Sequence, residues 1–110
     1  MNSIISGKVV RGDGYGRKLG FPTVNLEIKT GELPPAGVYA GSAILDNTSY
    51  RAGILINPGG KKVEAHLIGY SGDAYGKMVT LEINKFLREY KKFENEKELI
   101  VQIEKDLKMC

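Results

Sequence analysis

The sequence predicts a mainly-β chain folded as one small antiparallel barrel, with an amphipathic helix packed on it at the C-terminal end. Three observations lead there. Short apolar strands recur between turn signals with no helix separating them. The 110 residues include 14 glycines, about twice average usage, concentrated at those turns. The hydrophobic period then switches from two to 3.6 near the C-terminus. Antiparallel strands spaced this way must close or double over to protect their edges, and a small barrel is the economical solution. A chain of this length makes one domain and can bury roughly 65% of its extended surface, enough for a core without metal or disulfide staples.

The elements follow in order. Ser3 to Arg11 reads as a first strand that ends in the cluster Gly12-Asp13-Gly14-Tyr15-Gly16. Phe21-Pro22-Thr23-Val24-Asn25 is extended, because the proline disfavours helix at the residue before it. Leu33-Pro34-Pro35-Ala36-Gly37 turns the chain into a strand over Val38 to Leu45, and Asp46-Asn47-Thr48-Ser49 is the next turn. Tyr50 to Ile56 stops at Asn57-Pro58-Gly59-Gly60, and Val63 to Ile68 follows. Met78 to Phe86 alternates cleanly, with Val79, Leu81 and Ile83 on one face and Thr80, Glu82 and Asn84 on the other. In the C-terminal helix Leu99, Ile100, Ile103 and Leu107 share a face, and Glu98, Gln102, Glu104 and Lys105 lie elsewhere. Asn95 can cap it with Glu98 reaching back as in a capping box, while Lys105 and Lys108 suit the negative end of the helix dipole.

Composition excludes several classes. A single cysteine, Cys110, and a single histidine, His66, rule out a disulfide framework, a cysteine-based zinc site and a polyhistidine metal centre. No apolar run approaches the roughly 18 residues of a membrane span, and Met1 to Gly7 lacks the charged start and apolar centre of a signal peptide. A soluble, cytoplasmic protein is expected. The net charge of +3 permits an anionic ligand, nucleic acid included, but decides nothing by itself.

Three groups of residues carry candidate chemistry. The glycine cluster fails the dinucleotide fingerprint, since Arg17 stands where a third glycine belongs, and it fails the P-loop pattern as well. It is either a plain turn or a ligand loop, the latter favoured by the cations Arg17 and Lys18 that follow. Thr23 and Asn25 point the same way if their segment is a strand, and two neutral oxygens suit Mg²⁺, which completes its shell with phosphate and water. A turn or capping role is the alternative for both. Glu64 and His66 also share a strand face. Glu64 could take a proton from an alcohol or simply face solvent, and His66 could be a hydrogen-bonded structural group. Leu87-Arg88-Glu89-Tyr90-Lys91-Lys92-Phe93 interleaves cations with aromatics, a surface for a flat heterocycle or nucleic acid, or a solvated junction.

Taken together, these pieces resemble the riboflavin kinase family in motif content and order. Gly7-Lys8-Val9-Val10-Arg11-Gly12 and Gly16-Arg17-Lys18-Leu19-Gly20-Phe21-Pro22-Thr23-Val24-Asn25-Leu26 are similar to the family's G-x-V-x-x-G…G-R-x-L-G-F-P-T-A-N-L, with Val24 the one departure. Leu33 to Tyr39 is similar to L-P-x-x-G-V-Y, Glu64-Ala65-His66-Leu67 to E-x-H-L, and Asp73-Ala74-Tyr75-Gly76-Lys77 to D-x-Y-G-K. Leu87-Arg88 with Lys91 and Phe93 resembles L-R-x-E-x-K-F, and Leu99 to Asp106 resembles the closing L-x-x-Q-I-x-x-D. Tyr90 replaces an acid of the pattern, and Ile54 to Gly60 is shorter than the family's N-I-G-x-x-P-T-F stretch.

The resemblance implies a closed six-stranded antiparallel Greek-key barrel with a C-terminal helix, spanning 1–110 as a single kinase domain. It implies transfer of the ATP γ-phosphoryl group to the ribityl 5′-hydroxyl of riboflavin, giving FMN and ADP. By carry-over, Glu64 is the catalytic base, Gly12, Gly14, Gly16, Arg17 and Lys18 hold the nucleotide, and Thr23 and Asn25 hold Mg²⁺ or another divalent cation. Arg88, Lys91 and Phe93 fall on the flavin side, with His66 and Tyr75 supporting. A monomer without nucleic-acid or membrane partners is expected. Nothing before Ser3 resembles the adenylyltransferase domain that many bacterial relatives carry, so the expected product is FMN. Two other classes compete. A flavin-binding module without catalysis tends to lose Thr23, Asn25 and Glu64, whereas a basic barrel for single-stranded nucleic acid predicts affinity that falls steeply with salt.

Overall fold

The chain forms strands β1 (Ser3–Val10), β2 (Val24–Glu27), β3 (Gly37–Leu45), β4 (Thr48–Ile56), β5 (Lys62–Leu67) and β6 (Met78–Arg88), then helix α1 (Glu96–Lys108). The structure, a computed structural model, describes residues 3–12, 14, 18–28, 33–59 and 62–110. The strands close into an antiparallel barrel in the order β1-β2-β5-β4-β3-β6, with β6 returning to pair with β1. Three hairpin-connected strands, β3 to β5, with β6 returning beside β3, make the Greek key.

Alternation decides what faces where. Along β5, Val63, Ala65 and Leu67 are buried inside the barrel, so Lys62, Glu64 and His66 project outward. Ala52, Ile54 and Ile56 do the same on β4, and Leu26, Leu45, Val79 and Leu81 complete the interior. Each large side chain buried this way contributes roughly 1.5–3 kcal/mol relative to exposure.

Two boundaries near the site depart from the sequence expectation. The first turn of the β3–β4 hairpin is two residues rather than four. Asp46 and Asn47 both adopt left-handed backbone, with φ of 51° and 64°, and Leu45 pairs directly with Thr48. Consecutive left-handed residues match the twist of the flanking strands, and so Thr48 and Ser49 join β4. β6 runs on through Leu87 and Arg88, which read as a junction in the sequence. Its register against β3 shifts between Val38 and Tyr39 and again between Ala40 and Gly41. Those irregularities leave Asn84, Lys85 and Phe86 exposed in succession, so the alternation that marks Val79 to Ile83 does not continue to the end of the strand.

The helix is capped as expected, with Asn95 Oδ1 accepting from the Glu98 backbone N–H at 2.9 Å. Leu99, Ile100, Ile103 and Leu107 are half-buried, and the one buried residue of the helix is Asp106. Gln102, expected away from that face, is half-buried and bonded to Asp106. Close approach of the helix depends on Gly53 of β4. A Cβ there would stand 3.0 Å from Leu107 Cδ2 and 3.6 Å from Cys110 Sγ. Among the described residues no helix is long and apolar enough to cross a membrane.

Candidate active site

The outward face of β2, β5 and β4 carries the polar residues singled out in the sequence. Register places Asn25 directly opposite Glu64, and Glu64 opposite Leu55, so these three side chains form one row across three strands. Thr23 immediately precedes β2, two residues from Asn25. It is outside the strand, yet its hydroxyl donates to Glu64 Oε1 at 3.4 Å. Glu64 Oε2 accepts from Asn57 Nδ2 at 3.1 Å, so each carboxylate oxygen has its own donor.

Asn57 reads in the sequence only as the start of a turn, because it lies in the shortened stretch that departs from the family pattern. Its backbone N–H donates to the Lys62 carbonyl at 3.1 Å, which sets the amide at the mouth of the β4–β5 hairpin beside Glu64. His66 Nδ1 lies 2.7 Å from the Pro22 carbonyl oxygen. A carbonyl can only accept, so Nδ1 carries the proton. This bond, with the Phe21 ring edge-on to the imidazole at 6.1 Å, fixes the segment that presents Thr23.

Two cavities open from this row, and Thr23 lines both. The first, about 440 Å³, lies between the β4–β5 face and α1; Glu64, His66, Asn57, Arg88, Lys91 and Phe93 are among its walls. It is largely apolar, with Leu19, Leu55, Leu99 and Ile103 contributing, and suits a flat heterocycle with a polar tail. The second, about 710 Å³, is lined by Arg11, Gly12, Gly14, Asn25, Asp73 and Tyr75, among others. The Arg11 guanidinium sits 4.7 Å from the centre of the Tyr75 ring, a contact that sequence reading missed.

The predicted residues thus divide between the two chambers. Glu64, His66, Arg88, Lys91 and Phe93 fall in the first, Gly12, Gly14, Asn25 and Tyr75 in the second, and Thr23 at the junction. Lys18 is exposed, its backbone N–H donating to the Gly14 carbonyl at 3.1 Å. Gly16 and Arg17 lie outside the described residues. Arg88 is not a free cation. Its Nε and one terminal nitrogen grip Asp106 at 2.9–3.1 Å, and its other terminal nitrogen donates to the Glu89 carbonyl at 3.2 Å. Arg88 and Lys91 both lie over the Phe93 ring, at 5.6 and 5.2 Å.

Among the described residues no group of three or more His, Cys, Asp or Glu could hold a metal. Neutral oxygens are what the site provides. Thr23 donates its proton to Glu64, which leaves the hydroxyl lone pairs available. The Asn25 amide rests against Gly12, where a Cβ would intrude to 2.2 Å. A pair of neutral oxygens fits a hard cation that completes its shell with phosphate and water.

Comparison with known proteins accords with this geometry. A family model described as Flavokinase, riboflavin kinase, matches residues 1–110. The bifunctional riboflavin kinase/FMN adenylyltransferase of Bacillus subtilis strain 168 is 35% identical over 93% of this chain and 35% of its own length. The protein of the same description from Mycoplasma pneumoniae is 37% identical over 94% of this chain and 40% of its own. The chain therefore spans little more than a third of the curated relatives it matches. Among solved structures, a Streptococcus pneumoniae protein described as a macrolide-efflux protein superposes with a TM-score of 0.87 at 27% identity, covering 96% of this chain and 37% of that one. Riboflavin kinase from Trypanosoma brucei has the same fold, with a TM-score of 0.73 at 21% identity over 98% of this chain and 74% of its own. With the family model spanning the barrel, both chambers and the helix, the chain belongs to the riboflavin kinase family, transferases that phosphorylate riboflavin to FMN.

Proposed function

We propose that this chain, as a single domain over 1–110 and as a monomer, transfers the γ-phosphoryl group of ATP to the ribityl 5′-hydroxyl of riboflavin. The observation that carries the reading is the shared wall. Glu64 opens on the first chamber, Asn25 on the second, and Thr23 touches both while bonded to Glu64. A flavin in the first chamber and a nucleotide in the second would meet at that residue.

Phosphoryl transfer asks the protein mainly for alignment, charge neutralisation and a place for the alcohol proton. Glu64 is the base: the ribityl oxygen forms its bond to the γ-phosphorus, the bond to the β,γ-bridging oxygen breaks, ADP leaves, and the proton passes to the Glu64 carboxylate. Thr23 and Asn57 hold that carboxylate from either side without consuming all its lone pairs. Thr23 Oγ1 and Asn25 Oδ1 are the residues for Mg²⁺, which when bound would neutralise phosphate charge. Gly12, Gly14, Gly16, Arg17 and Lys18 serve the nucleotide, with Tyr75 and Arg11 at the wall of that chamber. Lys91 and Phe93 face the flavin together with Arg88, and His66 supports the Thr23 segment through Pro22.

The test is direct: incubate the protein with riboflavin, ATP and Mg²⁺ and separate the flavins by chromatography. FMN formation that requires all three is expected. Absence of FMN across nucleotides and divalent metals would overturn the proposal.

A further inference from the structure

The end of β6 and the face of α1 meet at a buried carboxylate that the reaction does not use. Asp106 is 8% exposed and is the only buried charged residue among the described residues. Its two oxygens accept from Arg88 Nε at 3.1 Å each, Oδ2 accepts from a terminal Arg88 nitrogen at 2.9 Å, and Oδ1 accepts from Gln102 Nε2 at 2.9 Å. Among the described residues no buried polar side-chain atom is left without a partner. This is a fork-to-carboxylate pair with a supporting amide one helical turn away, the strong form of an ion pair. The pair stands in the wall of the first chamber, which Arg88 and Asp106 line together with Leu99, Ile103 and Leu107 of the helix.

We infer that Asp106 is a positioning residue for flavin binding: with Gln102 it holds the Arg88 guanidinium as a pre-set wall of the first chamber, over Phe93. The inference rests on the assignment of that chamber to riboflavin. Two consequences follow from the hydrogen-bond inventory. Of the five guanidinium protons, those on Nε, on one terminal nitrogen toward Asp106 and on the other toward Glu89 are engaged, so two remain to meet a ligand edge. The arginine charge is also matched by Asp106, so this part of the wall favours an uncharged planar ring, and the exposed Lys91 and Lys92 supply the unmatched positive charge. Without Asp106 the side chain regains rotamer freedom that the flavin must freeze on binding, and affinity falls for that reason.

The experiment measures riboflavin Kd by quenching of flavin fluorescence, alongside kcat, both KM values and the melting temperature, for Asp106→Asn, Arg88→Ala and the double variant. Asp106→Asn is expected to weaken riboflavin binding about tenfold, with kcat and the ATP KM within about twofold. In the double variant the asparagine should add nothing to the loss from Arg88→Ala, because Asp106 acts through Arg88. An Asp106→Asn protein that melts earlier yet binds riboflavin with the unchanged Kd overturns the inference and leaves a purely structural pair. Should that variant fail to fold, Gln102→Ala removes one donor and leaves the ion pair. A two- to threefold rise in Kd then supports the inference, and an unchanged Kd overturns it. Failure of the unsubstituted protein to bind riboflavin would instead overturn the flavin assignment itself.

Discussion

Replacing Gly12 with alanine tests the most crowded contact of the site. A methyl at residue 12 would stand 2.2 Å from Asn25 Nδ2, 2.5 Å from Cγ and 2.6 Å from Oδ1. Ordinary contact begins near 3.4 Å. The amide must therefore withdraw by about 1.2 Å, whereas the β2 backbone is pinned by its pairing with β1 and β5. Turning the side chain off its rotamer costs about 0.5–1.5 kcal/mol. Displacing a positioning group by about 1 Å can cost up to roughly 100-fold in rate. The expected result is a kcat lower by roughly 10- to 100-fold, equivalent to about 1.4–2.7 kcal/mol of barrier, with the riboflavin KM within about twofold. FMN formation is followed while Mg²⁺ is titrated at fixed ATP, and melting curves confirm that the barrel persists. In an Asn25→Ala background the extra methyl meets no amide, so Gly12→Ala should add little there. Wild-type turnover and Mg²⁺ dependence in Gly12→Ala would refute the assignment of Asn25.

The remaining predictions concern Glu64, Thr23 and Cys110. Glu64→Gln removes the base and sets an amide N–H against either Thr23 or Asn57, both of which donate to the native carboxylate; turnover should fall by about 100-fold or more while flavin quenching persists, and near-normal turnover would refute the base. Thr23→Val keeps the volume and removes the hydroxyl, so the Mg²⁺ concentration for half-maximal rate should rise about tenfold; an unmoved midpoint counts against Thr23 as a ligand. Burial pushes the Cys110 thiol above its ordinary value of 9.0, outweighing the nearby Arg51, and Sγ donates to the Asp106 carbonyl at 3.3 Å. Because the folded state favours the neutral thiol, that contribution is fully present below the unfolded pKa and is lost as pH rises through the folded one. Cys110 should therefore react with a disulfide reagent more slowly at pH 8 in the native protein than in denaturant, and equal rates would show the thiol to be free.

Much of the site was legible because its residues carry their chemistry in short runs. Pro22 holds the backbone extended ahead of Thr23 and Asn25, the spacing of Glu64 and His66 puts both on one strand face, and alternation hides Val63, Ala65 and Leu67 on the other. Residues whose importance comes from a distant partner were not legible. Asn57 matters through Glu64, seven positions on, and Asp106 through Arg88, 18 positions back. The closing-helix motif did include Asp106, and Gln102 four residues before it, but helical period alone assigns Gln102 to the solvent side. Arg88 itself reads as a cation free for ligand until the carboxylate that grips it is known.

The strand-rich class, the capped C-terminal helix and the family motifs can be read along the chain, because period, turn residues and capping act between near neighbours. The register that sets Asn25 against Glu64, the β3–β6 irregularities that carry Arg88 to the helix, and the meeting of two chambers at Thr23 emerge only once the barrel closes. Strand register is chosen by contacts between residues far apart in the chain. Thr23 and Glu64 are separated by 41 positions, and a one-residue slip on either strand would turn its side chains to the opposite face of the barrel wall.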